Sequence, residues 1–202
     1  MRSLRTRLAV VLATIVALGL LANAAWLVLS ARQRLRERLE TSASLFASLA
    51  VGPVCSAYDA YFESGYFKFR QVVRDMLALA PDVTRVEIVD VEGRVLFDSG
   101  HIDDGSLPRA AGGQLDPARL EAVRRLEPTT IRGRDAEGDT LEIVNPWVED
   151  WGRHRLSVVY HVSYAKLNAE YRRYARVTLA LTAVSILVAA LLGLALARRL
   201  TR

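Results

Sequence analysis

The chain has 202 residues and a formal charge of +5, from 27 Lys and Arg against 22 Asp and Glu, with a single cysteine. Six basic residues, Arg2, Arg5, Arg7, Arg198, Arg199 and Arg202, lie at extremities that hold no Asp or Glu, so the remaining 21 stand against all 22 acidic residues. The excess charge belongs to the two ends, which removes the basic face that nucleic-acid binding needs, and the lone Cys55 excludes a disulfide framework and reads as a small buried hydrophobe.

An uncharged apolar run from Leu8 to Leu29 opens the chain, and another runs from Val177 to Ala197. At about 1.5 Å per residue each makes a helix of roughly 30 Å, the hydrocarbon thickness of a bilayer. The alternative for the first run is a cleaved signal peptide with Ala22-Asn23-Ala24 as its processing site. The run's continuation through Trp26, Leu27, Val28 and Leu29, with Trp26 where an interfacial aromatic sits, favours an anchor. Arginines flank both runs on both sides, but long loops translocate largely regardless of charge, and the Arg-rich ends suit the cytoplasmic leaflet. The expected organisation is a cytoplasmic tail at 1–7, a first span at 8–30, an outer domain at 31–176, a second span at 177–197 and a cytoplasmic linker from 198 to 202. The expected location is the inner or plasma membrane, with the outer domain periplasmic or extracellular.

The middle segment is long enough to bury its own core. Leu35, Leu39, Ala43, Phe46 and Ala50 recur at spacings of three and four, so a helix continues out of the first span, with Gly52-Pro53 as its predicted end. Phe69, Val72, Val73, Met76, Leu77 and Ala80 mark a second helix ending at Pro81. Alternation then replaces the helical period: Thr84 to Asp90 and Gly93 to Asp98 read as a hairpin around Val91-Glu92-Gly93. A long loop from Ser99 to Gly113 precedes a short helix from Asp116 to Leu126, with Asp116 as N-cap and Pro117 at the first helical position. Strands are predicted at 129–134, 140–145 and 154–163, broken at 135–138 and 149–152. A further helix leads into the second span.

Several segments of this order resemble the extracytoplasmic PAS-like sensor domains, called Cache or PDC domains, of bacterial transmembrane receptors. They are Pro81-Asp82-Val83 leading into 86–99, Val144-Asn145-Pro146 opening a hairpin, and Ser157-Val158-Val159-Tyr160 before Ser163-Tyr164. Residues 61–69 resemble the segment ahead of the sheet in two-component sensor histidine kinases, and 197–202 looks like the start of a HAMP signalling helix. The resemblance implies an α+β fold, a PAS-like antiparallel sheet with a long N-terminal helix, flanked by two transmembrane helices. It implies signal input to an output module beyond Arg202, a histidine kinase first, with a chemoreceptor or a diguanylate cyclase as alternatives. A cytoplasmic response regulator would then be a partner. No cofactor is implied.

In that architecture ligands lie between the sheet and its covering loop, which implies His101, Arg109, Arg132, Arg134, Asn145, Trp147 and Tyr160 as ligand-binding candidates. Arg132 and Arg134 share a strand face at i, i+2 and suit a carboxylate. Each candidate also has a plain reading as a surface charge or a packing residue. Trp147 and Trp151 read as covering a hairpin end or meeting lipid headgroups. His154 and His161, seven apart on one strand, point to opposite faces and cannot share a metal. Asp98, His101, Asp103 and Asp104 have no calcium-loop or zinc spacing and read as a solvated acidic loop, so no metal site is expected. No catalytic motif is present, which disfavours an enzyme and leaves a noncatalytic assembly scaffold as the other alternative. The apolar stripe of the first helix suits pairing with a second copy in a homodimer.

Overall fold

The computed structural model describes residues 4–102, 113–135, 138–149 and 151–200. Two compact units are present, one built from the residues up to Glu37 with those from Leu167 onward, the other from Arg38–Lys166. Helix α1 (Leu4–Tyr61) begins in the first, which also holds most of α4 (Ala165–Leu200). Both are long and apolar enough to cross a membrane. Ile15, Leu18, Trp26 and Leu29 on α1, with Leu179, Leu181, Leu187 and Leu191 on α4, are exposed. Both helices thus turn apolar side chains outward on several sides. The Arg32 guanidinium lies 5.8 Å from the Tyr171 ring centroid, so the two helices are neighbours at that level.

The second unit contains α2 (Tyr66–Leu79), β1 (Val83–Asp90), β2 (Val95–Asp98), α3 (Pro117–Arg124), β3 (Thr129–Asp135), β4 (Gly138–Val148) and β5 (His154–Ser163). A single 3-10 turn, Ser99–His101, follows β2. The strands form one antiparallel sheet in the order β2-β1-β5-β4-β3. Strand alternation sorts its side chains onto two faces. One face carries Val86, Ile88, Phe97, Leu141, Ile143, Val158, Tyr160 and Val162 and packs against α1 and α2. Phe46 of α1 meets Tyr160 edge-on at 6.0 Å, and Phe69 of α2 meets Phe97 at 4.8 Å. Tyr58, Phe62 and Tyr66 complete this aromatic corner, which gives the 61–69 segment a packing role.

The other face is covered by α3: Ala122 and Val123 pack with Val89, Val95, Leu115, Val144 and Val159. Asp116 caps that helix by accepting from the Arg119 N–H at 2.9 Å, as the sequence predicts. The turn between β1 and β2 needs Gly93, whose φ of +84° favours glycine and whose Cα faces Leu120 of α3.

Two predicted boundaries are wrong, both at prolines. Helix α1 does not stop at Gly52-Pro53 but continues to Tyr61. Leu39, Ala43, Ala47, Ala50, Val54 and Ala57 follow at three or four residues and are all buried, while Pro53 faces out. An interior proline costs a helix about 3 kcal/mol. Burying a single valine side chain returns about 1.5–3 kcal/mol, and the stripe past Pro53 buries Val54, Cys55 and Ala57 together. The second is Val144-Asn145-Pro146, which opens no hairpin: β4 runs through to Val148. Strand β3 pairs with β4 only as far as Val144, so Pro146 sits where β4 has a neighbour on one side only, and a missing N–H is tolerated there.

Candidate functional site

The face under α3 is not purely apolar. Arg85, His161 and Glu142 are paired in register across β1, β5 and β4, and Glu87 is paired with Asp98 of β2 in the neighbouring row of the same face. Glu87, Asp98 and Glu142 are buried. Arg85 donates to Asp98 through Nε at 2.7 Å and Nη2 at 2.5 Å, and its Nη2 lies 2.6 Å from Glu87 Oε1. The His161 ring sits between two carboxylates, Nε2 at 3.4 Å from Glu87 Oε1 and Nδ1 at 3.6 Å from Glu142 Oε1. Arg119 of α3 donates to Glu142, and its Nε lies 3.5 Å from Asp116 Oδ2. The groups run Asp98, Arg85, Glu87, His161, Glu142, Arg119, Asp116, so an acid alternates with a base from β2 across the sheet to α3.

Burial pushes the Glu87 carboxyl up, but the His161 ring and the Arg85 guanidinium outweigh it and hold the group below its ordinary value. Asp98 behaves alike: burial raises it, and Arg85 with the Gly100 N–H outweighs that and lowers it. The hydrogen bond to Asp98 holds Arg85 more firmly charged. Glu87 Oε2 and Glu142 Oε2 are buried and accept no hydrogen bond from the described residues. Buried carboxylate oxygens in that state favour a donor-bearing group at this face, whether water or ligand. Chemically, the row can hold a polar ligand and can tie β2, the sheet and α3 into one electrostatic unit.

Of the sequence-selected candidates, His101 adjoins this row, with Nε2 3.9 Å from Asp98 Oδ2. Arg109 lies outside the described residues, as do Asp103 and Asp104. Arg132, Arg134, Asn145, Trp147 and Tyr160 belong by strand parity to the opposite face, the one packed by α1. The two arginines do share that face, but they are exposed and answered separately, Arg132 by Glu40 at 3.0 Å and Arg134 by Asp139 at 3.1 Å. Asn145 and Tyr160 are buried, and neither Asn145 Nδ2 nor the Tyr160 hydroxyl has a partner among the described residues. Burial raises the Tyr160 phenol and pushes the neighbouring Cys55 thiol up to about 12, so that cysteine is an inert core residue. Trp147 and Trp151 lie at the hairpin end between β4 and β5, which Arg155 and Asp59 tie to the end of α1.

His154 and His161 do not point to opposite faces as expected: a bulge at Arg155 pairs His154 with Val148 and brings it to the His161 side of the sheet. The two stay apart along β5, His154 contacting Ser157 Oγ at 2.8 Å while His161 sits in the charged row. That serine–histidine contact offers no reachable nucleophile, because Ser157 is fully buried. Sequence reasoning missed Arg85, Glu87, Arg119 and Glu142. The available sign was a charge at alternate positions inside apolar strands, at Arg85-x-Glu87 and between Leu141 and Ile143.

No family model and no curated protein matches the sequence. Among solved structures, the extracellular domain of rpHK1S-Z16, assigned as a histidine kinase, matches with a TM-score of 0.50 at 13% identity over 76% of this chain and 63% of that one. The extracellular domain of vpHK1S-Z8, assigned likewise, gives 0.40 at 13% identity over 81% of this chain and 61% of its own. An extracellular ligand binding receptor from Desulfohalobium retbaense gives 0.41 at 12% identity over 64% of this chain and 24% of its own. The chain thus spans less than two thirds of each of these three structures. At such identities the likeness is one of fold, and it rests on the first match. The antiparallel sheet behind a long N-terminal helix is a PAS-like α+β fold, shared with an extracellular domain assigned to a histidine kinase.

Proposed function

We propose that this chain is the signal-input module of a membrane receptor, with the outer domain at 31–176 held between spans at 8–30 and 177–197. The observation that carries this reading is a PAS-like domain, of the kind found outside the membrane in the rpHK1S-Z16 match, flanked by two helices long and apolar enough to cross a bilayer. In this reading both termini are cytoplasmic, and 198–202 begins a HAMP-like linker to an output module. A histidine kinase acting on a response regulator is that module, with a chemoreceptor or a cyclase as alternatives. The stripe expected to pair with a second copy is taken up by the domain's own core, with Leu39, Ala43 and Ala50 buried and Phe46 against Tyr160. A homodimer fits instead the outward face of α1, where Leu45 and Leu49 are exposed one turn apart.

The signal enters at the charged row under α3, with His101 at its margin. Ligand contacts there bias how α3 and β2 sit on the sheet, and β5 leads within two residues into α4. A coupling of about 1–3 kcal/mol between such a site and an output gives a five- to hundredfold bias, so modest rearrangement suffices. The test is a fusion of residues 1–202 to the HAMP and kinase half of a well-behaved histidine kinase, assayed in membranes. Arg85→Ala and His161→Ala are expected to shift autophosphorylation at least fivefold, while the exposed Trp151→Ala leaves it unchanged. Equal output from all of these and from a fusion lacking residues 38–166 contradicts the sensor reading and favours the assembly scaffold.

A further inference from the structure

A concavity lies on the face of the sheet opposite the charged row. It is an open groove of about 750 Å³, lined by Glu40, Thr41 and Ser44 of α1 and by Thr130 and Arg132 of the edge strand β3. We propose that this groove binds a neutral, hydroxyl-rich ligand of the size of a mono- or disaccharide.

Charge comes first. Arg132 Nη2 donates to Glu40 Oε2 at 3.0 Å, and Glu40 Oε1 also accepts from the Tyr164 hydroxyl at 2.8 Å. The pair holds Arg132 more firmly charged and leaves the lining with no net charge, so an ion of either sign meets no unbalanced counter-charge. Hydrogen-bonding capacity comes second. The guanidinium only donates, the carboxylate only accepts, and the three hydroxyls of Thr41, Ser44 and Thr130 do both. The complement of such a lining is a ligand whose own groups donate and accept at several adjacent positions, as vicinal hydroxyls do. Shape comes third. The residues come from adjacent positions, one turn of α1 and i, i+2 on β3, and the volume falls within the roughly 300–1,000 Å³ of small-molecule sites. A ligand held there bridges α1 and the sheet edge beside the Arg132–Glu40 ion pair.

The test uses the full 202-residue chain in lipid nanodiscs, titrated with glucose and with trehalose and followed by saturation-transfer NMR. Sodium glutamate and putrescine serve as charged probes. At least one sugar is expected to bind saturably, and Thr130→Val and Ser44→Ala, two substitutions outside the buried core, are expected to weaken it at least tenfold. The proposal is overturned if neither sugar saturates, if both variants bind as the parent does, or if a charged probe binds in place of the sugars with the same sensitivity to the variants. The measurement reads binding and not signalling, so each of these failures leaves the sensor reading standing.

Discussion

The two faces of the sheet are built on different terms. Beneath α1 and α2 the buried side chains are aliphatic and aromatic apart from Asn145, and Phe69, Ile88, Ile143, Val158 and Tyr160 are withdrawn from solvent. Beneath α3 the apolar patch around Val144 and Val159 is bordered by a row of charges that runs from β2 to the helix. Burial of hydrocarbon is nondirectional and tolerates approximate geometry, whereas buried charges need specific partners and break when one is lost. The first face therefore secures the fold, and the second is the one able to respond to a change in its polar partners.

Substitutions on the two faces should differ in their cost. Phe69→Ala on the hydrocarbon face removes a fully buried ring from the aromatic corner and is expected to cost about 3–5 kcal/mol, read as a lowered urea midpoint. Arg85→Ala on the charged face leaves Glu87 and Asp98 buried without their guanidinium. Because Arg85 is itself partly exposed, the expected loss is smaller, about 1–3 kcal/mol.

Acid separates the two faces further. Glu87 and Asp98 have lowered values in the folded state, so their stabilisation is fully present above the unfolded range of about pH 4 to 5 and is lost as pH falls through the lowered values. The difference between the parent and Arg85→Ala should therefore narrow between pH 7 and pH 3, while that for Phe69→Ala should not narrow in step with it. Asp116→Ala uncaps α3 and is expected to cost about 1 kcal/mol by thermal denaturation. Trp151→Ala, 93% exposed in the β4–β5 turn, should change stability by less than about 0.5 kcal/mol.

Most of the fold is legible in the sequence because the hydrophobic period changes where the structure changes, from helical through Ala80 to alternating from Thr84. Asp116-Pro117 and Gly93 are read correctly because their signatures are local. Pro53 and Pro146 mislead because the effect of a proline depends on what lies beside it. Pro53 faces solvent on a helix whose other face is held, and Pro146 lies past the end of its neighbouring strand. The charged row is less legible still. Whether Glu87, His161 and Glu142 meet depends on the register of three strands whose residues are far apart in sequence, and a slip of one residue would turn each to the other face. Asn145, Tyr160, Arg132 and Arg134 suggest a pocket for their chemistry, but strand parity places them under α1 rather than under α3.

The central claim, an outer domain between two spans, is tested most directly by side-selective labelling in intact cells. In a Cys55→Ala background, single cysteines at Trp151 and at Thr6 would be exposed to a membrane-impermeant maleimide. Position 151 is expected to react in intact cells and position 6 only after lysis. Labelling of position 6 in intact cells, or protection of position 151 until lysis, would contradict it.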